Sequence, residues 1–349
     1  METNNVLKGV GSVENRRPCI LVLGGAGYIG SHVNLALAER GYKTVVLDNL
    51  VYGHRESVLC GDLVVGDIAD SHLVNDLFSR FQFDAVMHFA AFAYVGESVT
   101  DPAKYYMNNV TNTLALLEVM RRHATRAIVF SSTCATYGVP SAIPIPEDHP
   151  QNPINPYGAS KAMVERILKD YAAAYGFHHA ILRYFNAAGA DLAGRIGEWH
   201  DPETHLIPLV LRAGLGHAGP VTILGTDYAT PDGTCIRDYI HVSDLADAHI
   251  LAMEKILAAR CSVIYNLGTG NGTSVREIVN AAETVMGRPV PVMIGSRRPG
   301  DPPRLVGDAR RAMQELSWKP RVSDIQTILS SAWNWELRRA RNPNQSLTA

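Results

Sequence analysis

Apolar runs of strand length recur through the first half of the chain, at 19–23, 44–47, 63–65, 85–89, 127–130 and 180–184. They are rich in Val, Ile and Leu and show little of the apolar–polar alternation of a half-exposed strand. Near-continuous apolar runs of this length read as strands buried on both faces. Stretches with helical spacing lie between them, for example 31–40 and 112–123, and Gly41 stands where the first of these would stop. Alternating strands and helices predict an α/β fold, with a parallel sheet covered by helices on both faces.

The texture changes after Asn186. Residues 187–235 are rich in Gly, Pro and His, with only short periodic pieces. They predict a smaller, loop-rich α/β domain. Prolines and glycines mark loops at 140–156 and 295–303. Residues 1–17 are polar and end in Arg16-Arg17, with neither the apolar stretch nor the small-residue cleavage site of a secretory leader. They are read as a loose tail. No repeat or low-complexity segment interrupts the rest.

Composition narrows the function classes. Of 349 residues, 46% are hydrophobic and 19% charged, as in an ordinary soluble protein. A formal net charge of −2 gives no reason to expect a nucleic-acid partner. No apolar run approaches the roughly 20 residues that span a bilayer. The five cysteines are odd in number, widely spaced and without a CxxC pair, which fits a reducing cytoplasm. His200 and His205 lie near Glu198, Asp201 and Glu203. Without a helical HxxxH or HxxH arrangement, this group is read as a polar loop and no metal site is expected.

Two motifs carry the candidate chemistry. Gly24, Gly27 and Gly30 fall between the first strand and the first helix, and Gly25 also completes a GxGxxG spacing. Glycine permits a tight turn and close approach of backbone to a pyrophosphate, and the helix N-terminus offers free N–H groups. Asp48 ends the second strand about 20 residues later, where a carboxylate accepts from both ribose hydroxyls of NAD and repels the extra phosphate of NADP. The fold expected is therefore a Rossmann-type doubly wound sheet. The second motif is Tyr157 and Lys161, four residues apart after a run of prolines, on one face of a helix's first turns. A nearby ammonium favours a phenolate, so the pair could take a proton from an alcohol.

These motifs, with His88-Phe89-Ala90-Ala91, Ser131-Ser132-Thr133 and Arg183-Tyr184-Phe185-Asn186, occur in the order and spacing of the extended short-chain dehydrogenases/reductases. The chain resembles most closely the UDP-glucose 4-epimerases, from about residue 19 to about residue 337. The C-terminal signatures run from Asp232 to Val242, from Asn266 to Gly270 and from Arg297 to Asp301. The stretch 194–200 resembles the bacterial branch linked to exopolysaccharide sugars, and 92–98 also resembles UDP-arabinose 4-epimerases.

The resemblance implies roles for particular residues. Tyr157 would be the base at the sugar 4-hydroxyl, with Lys161 holding the nicotinamide ribose and lowering the tyrosine pKa, and Thr133 bridging hydroxyl and phenol. NAD would touch Gly24, Gly27, Tyr28, Ile29, Gly30, Asp48, Asn49, Asp67, Ile68, Phe89, Ala90, Ala91, Ala93, Asn108 and Phe185. The UDP-sugar would meet Asn186, His205, Leu206, Thr222, Leu224, Arg237, Arg298, Asp301 and Leu305. Ala93 replaces a common Lys, His205 a common Asn and Leu224 an aromatic. Leu305 stands where residue size gates N-acetyl sugars. Cys134-Ala135-Thr136 follows Thr133 without the acid of the related dehydratases and decarboxylases.

The resemblance thus implies an NAD-binding domain over 18–186, with segments around 236–265 returning to it, and a mainly UDP-sugar-binding domain over 187–340. It implies a homodimer through helices near 104–122 and 158–174. The leading expectation is interconversion of UDP-glucose and UDP-galactose through a 4-keto sugar. Alternatives are a UDP-xylose/UDP-arabinose or UDP-N-acetylglucosamine 4-epimerase. A non-catalytic NAD sensor on the same fold need not keep Thr133, Tyr157 and Lys161 together.

Overall fold

Residues 16–298 and 301–341 are described by a computed structural model of the chain. Most of the expected tail, at 1–15, and Pro299-Gly300 of a C-terminal signature lie outside the described residues. The strands, in chain order, are β1 (Cys19–Leu23), β2 (Lys43–Asp48), β3 (Asp62–Val65), β4 (Ala85–His88), β5 (Ala127–Thr133), β6 (His178–Tyr184), β7 (Asn186–Ala188), β8 (Val221–Leu224), β9 (Ile236–His241), β10 (Val263–Leu267), β11 (Gly272–Ser274), β12 (Val292–Gly295) and β13 (Arg304–Leu305).

A seven-stranded sheet has the order β10-β6-β5-β4-β1-β2-β3, and every pairing in it is parallel. Side chains of successive strand residues point to opposite faces. Ile20 and Val22 of β1 accordingly join a core that includes Leu245, Met253 and Ile256 of the helix Val242–Ala259. Leu21 and Leu23 join the opposite core, with Leu117, Val164 and Leu168. Both faces are covered, which is why the strands carry so few polar positions. Strand order reverses between β1 and β4, so a crevice opens at their carboxyl ends.

A second, smaller assembly follows. A four-stranded sheet pairs β9 with β7, β11 and β13, and a parallel ribbon pairs β8 with β12. The helices Leu206–Leu215, Val275–Met286 and Ile325–Arg341 share a third core with Val210, Ile278 and Ile328.

The expected elements differ in detail from those observed. The first helix begins at Tyr28, within the glycine loop. β5 runs on past its apolar residues to Thr133, because Ser131, Ser132 and Thr133 are buried and their hydroxyls find partners. The helix Asn112–Arg122 is entered through a π-helical turn, Tyr106–Thr111. Segment 236–265 divides: β10 joins the large sheet and the helix Val242–Ala259 packs on it, while β9 stays in the small one.

Candidate active site

The glycine loop turns out of β1 into the helix Tyr28–Glu39. Gly24 has φ +73°, and a Cβ there would lie 2.6 Å from Ala90 N. A Cβ on Gly30 would collide with the Gly24 carbonyl. Both positions need glycine for the fold itself. Gly27 differs: its conformation is extended (φ −76°) and a Cβ there would meet nothing closer than 3.4 Å. The Gly27 backbone faces the cleft.

That cleft is lined by Gly24, Gly27, Asp48, Asn49, Ile68, Phe89, Ala90, Ala91 and Asn108, so nine of the expected cofactor residues converge. Asp48 is buried, and burial raises its pKa against hydrogen bonds from the Leu50 and Ala26 backbones. Its Oδ2 accepts from Ala26 N at 2.9 Å and its Oδ1 from Leu50 N at 2.9 Å. Asp67 Oδ2 accepts from Asn49 Nδ2 at 2.7 Å beside the cleft. Tyr28 turns its phenol elsewhere, donating to Gly189 O at 2.7 Å, while Ala93 is exposed. Ile29 is half-buried and packs against the core beside β1.

The helix Pro156–Tyr175 presents the second motif. Asn155 caps it, accepting from Gly158 N at 2.8 Å, and Pro156 takes the first turn, where no N–H is needed. A Cβ on Gly158 would lie 2.5 Å from Ala135 O. The helix start therefore sits directly on the turn after β5, which brings Tyr157 to Thr133. Burial pushes the Tyr157 phenol up to about 12, and a hydrogen bond with Thr133 opposes the rise.

Lys161 is 3% exposed, and its Nζ donates to Ser131 O at 2.8 Å. Burial pushes it down to about 7, against the attraction of Glu165. Lys161 is not among the groups that move the Tyr157 pKa in the cofactor-free chain. Desolvation disfavours both charged forms, and a lysine driven toward neutrality supplies little field. Cys134 is likewise pushed up to about 12 by burial, as befits an inert thiol.

The motifs did not announce the support beneath these groups. Glu165 and Arg183 form a buried ion pair at 2.6 Å, with side chains 0% and 3% exposed. Glu165 also accepts from Ser132 Oγ at 2.6 Å and Gln151 Nε2 at 2.9 Å. Arg183 continues to Tyr137 Oη at 2.9 Å. Ser131 Oγ bonds to the Tyr184 hydroxyl. Asn109, in the π-helical turn, accepts from Phe92 N and Asn108 Nδ2 and donates to Ser160 Oγ. Glu165 was within reach of sequence reading, because it lies one helical turn after Lys161.

Phe185, expected at the cofactor, and the expected substrate positions are more scattered. Phe185 is buried with Tyr137 and Ile145, and Cys134 and Leu305 pack on them beside Thr133. Asn186 opens β7 and pairs with Tyr239. Arg237 meets Asp301 at 2.5 Å and donates to the carbonyls of Ile236 and Pro302. Arg298 is exposed, and so are Thr222 and Leu224 on the outer face of β8. Leu206 starts a helix, and His205 before it bonds Glu198 at 2.5 Å. None of the described helices is long and apolar enough to cross a membrane.

The pattern of the NAD dependent epimerase/dehydratase family matches residues 20–268. A UDP-glucose 4-epimerase of Rhizobium meliloti is 53% identical over 320 residues, covering 92% of this chain and 97% of the relative. Among solved structures, UDP-glucose 4-epimerase from Brucella ovis in complex with NAD is 53% identical with a TM-score of 0.89, over 90% of this chain and 97% of that one. The one from Stenotrophomonas maltophila, with bound NAD and formylated UDP-arabinopyranose, is 37% identical with a TM-score of 0.90, over 93% and 99%. Sequence, sheet order and the glycine-lined cleft agree: this chain belongs to the NAD dependent epimerase/dehydratase family.

Proposed function

We propose that the chain is an NAD-dependent 4-epimerase of UDP-sugars, with UDP-glucose and UDP-galactose as its first substrate pair. The observation that carries this reading is the close seating of the helix start that bears Tyr157 on the turn after Thr133, the last residue of β5, with no acid in that turn. An alcohol can be deprotonated there, whereas elimination lacks its general acid.

The residues fit NAD. Gly27 keeps a surface clear that the fold alone does not require, and Asp48 stands at the adenosine end of the cleft. NAD, when bound, accepts a hydride at one carbon and returns it, and its ring adds positive charge. The chain does the rest. Tyr157 takes the 4-hydroxyl proton and later gives it back to the opposite epimer. Thr133 holds hydroxyl and phenol in line. Lys161, anchored on Ser131 O, fixes the ribose side of the cofactor. A phenol held near 12 by burial needs added positive charge to act at neutral pH, so base strength depends on the loaded enzyme.

Arg237, Arg298 and Asp301 are assigned to the nucleotide diphosphate and ribose. Five guanidinium N–H groups less three bonds leave Arg237 two donors for phosphate. Asn186, His205, Leu206, Thr222, Leu224 and Leu305 are assigned to the remaining substrate contacts, with residues 187–340 mainly serving the UDP-sugar. The exposed apolar side chains Met107, Leu114 and Met163 support pairing of two copies through the helices near 104–122 and 158–174. The reducing cytoplasm is the assigned compartment.

A pentose pair, UDP-xylose and UDP-arabinose, is the second reading. The ligand in the Stenotrophomonas maltophila structure favours it. Turnover on both substrate pairs decides between them. The hexose rate is expected to be the larger, and a pentose rate far above it replaces the first assignment. Tyr157→Phe is expected to lose about 10²–10⁴-fold in kcat on either pair, and full activity in that variant removes the proposed base.

A further inference from the structure

The loop between β7 and the helix Leu206–Leu215 gathers four side chains that the sequence left as a polar loop. The ligand-type atoms of Glu198, His200, Glu203 and His205 all lie within 4.8 Å of one another. Nδ1 of His200 is 3.3 Å from Glu198 Oε1 and 3.8 Å from Glu203 Oε1. Nδ1 of His205 is 2.5 Å and 3.6 Å from the same two oxygens. Four ligands around a tetrahedral zinc at its usual bond lengths stand roughly 3.3–3.4 Å apart. The observed edges bracket that value, so the cage has the size of such a sphere.

Three further observations point inward. Nδ1 of His200 is buried and, despite its nearness to Glu198, has no hydrogen bond of acceptable geometry. The two carboxylates are almost wholly sheltered, at 6% and 3% side-chain exposure. Buried side by side, they call for compensating positive charge. Glu203 is also fixed in place: Oε1, the oxygen nearest the two imidazoles, accepts from Thr204 N and His205 N, and Arg212 approaches Oε2 at 3.4 Å. His205 is 54% exposed at its side chain, which leaves an entry path.

We infer that Glu198, His200, Glu203 and His205 form a binding site for one divalent transition-metal ion of the zinc class. Two imidazoles and two carboxylates suit zinc better than magnesium or calcium, which prefer oxygen alone. The ion would be structural. His200 packs edge-on against Tyr28, at the start of the cofactor-side helix, and Trp199 stacks on His54 at 3.6 Å. The site would therefore fasten the loop of one assembly to the glycine loop of the other.

The test uses the full chain, stripped with EDTA and dialysed. Zn²⁺ is added calorimetrically, and Co²⁺ is added with visible absorption as the readout. One Zn²⁺ per chain is expected, with a four-coordinate Co²⁺ spectrum that Zn²⁺ abolishes. His200→Ala and Glu198→Gln should each weaken binding at least ~10-fold. No saturable uptake, a weak six-coordinate Co²⁺ spectrum, or unchanged affinity in both variants overturns the site and leaves an internal His–Glu ion-pair cluster. If neither variant folds, anomalous diffraction at the zinc edge on the unmodified protein decides. A peak between the four side chains supports the site, and its absence there overturns it.

Discussion

Lys161 donates its 2.8 Å hydrogen bond to the carbonyl oxygen of Ser131, two residues before Thr133 on the same strand. The helix that carries Tyr157 and the strand that carries Thr133 are thus tied together by the third member of the proposed catalytic set. Ser131 in turn bonds Tyr184 on the neighbouring strand. Lys161 acts here as a strut as well as a charge.

The strut has a stability cost that depends on pH. The Lys161 pKa is pushed down to about 7 by burial, so the unfolded chain binds more protons than the folded one between that value and the ordinary lysine pKa. Stability therefore rises with pH across that window, and the penalty is full below it. Lys161→Met should stabilise the cofactor-free protein by on the order of 3 kcal/mol at pH 6, with the gain shrinking above pH about 7. Thermal unfolding of both proteins from pH 6 to 9.5 measures this. A gain that does not vary with pH contradicts it.

The glycines of the loop separate folding from binding. Gly27→Ala should cost at most about 1 kcal/mol of stability, since its backbone is extended and unobstructed. The same change should still sharply weaken NAD retention. Gly30→Ala should destabilise strongly, because its Cβ meets the Gly24 carbonyl. Urea unfolding beside the NAD content of the purified proteins distinguishes the two.

Glu165 and Arg183 should behave as one unit. Arg183→Met alone should cost about 3–5 kcal/mol, because it leaves a buried carboxylate unpaired. Adding Glu165→Leu should recover at least ~1 kcal/mol of that loss. Urea midpoints of the single and double variants test the coupling. Strict additivity would show that the pair contributes no mutual interaction.

Leu305 packs beside Phe185 and Cys134, where it is proposed to wall the sugar site. Leu305→Ala should raise turnover of UDP-N-acetylglucosamine relative to UDP-glucose by roughly 10-fold, and Leu305→Tyr should lower it, within the range that one hydrophobic wall can discriminate. Competition between the two substrates in one reaction gives the ratio directly.

The sequence by itself determined the parallel sheet, the glycine loop and the Tyr157–Lys161 helix. Each is a local pattern: apolar runs buried on both faces, a turn only glycine allows, a spacing of one helical turn. It also contained Glu165 on the face of Lys161, though not its partner Arg183, which arrives from β6. Only the tertiary structure decided the electrostatics. Tyr157 and Lys161 are one helical turn apart in the chain, yet burial drives both toward their uncharged forms, raising the phenol's pKa and lowering the ammonium's. It also paired Arg237 with Asp301, 64 residues apart, and closed Glu198, His200, Glu203 and His205 into a cage. Periodicity records which face of an element is buried. Desolvation, and contacts between distant segments, depend on what the fold places against that face.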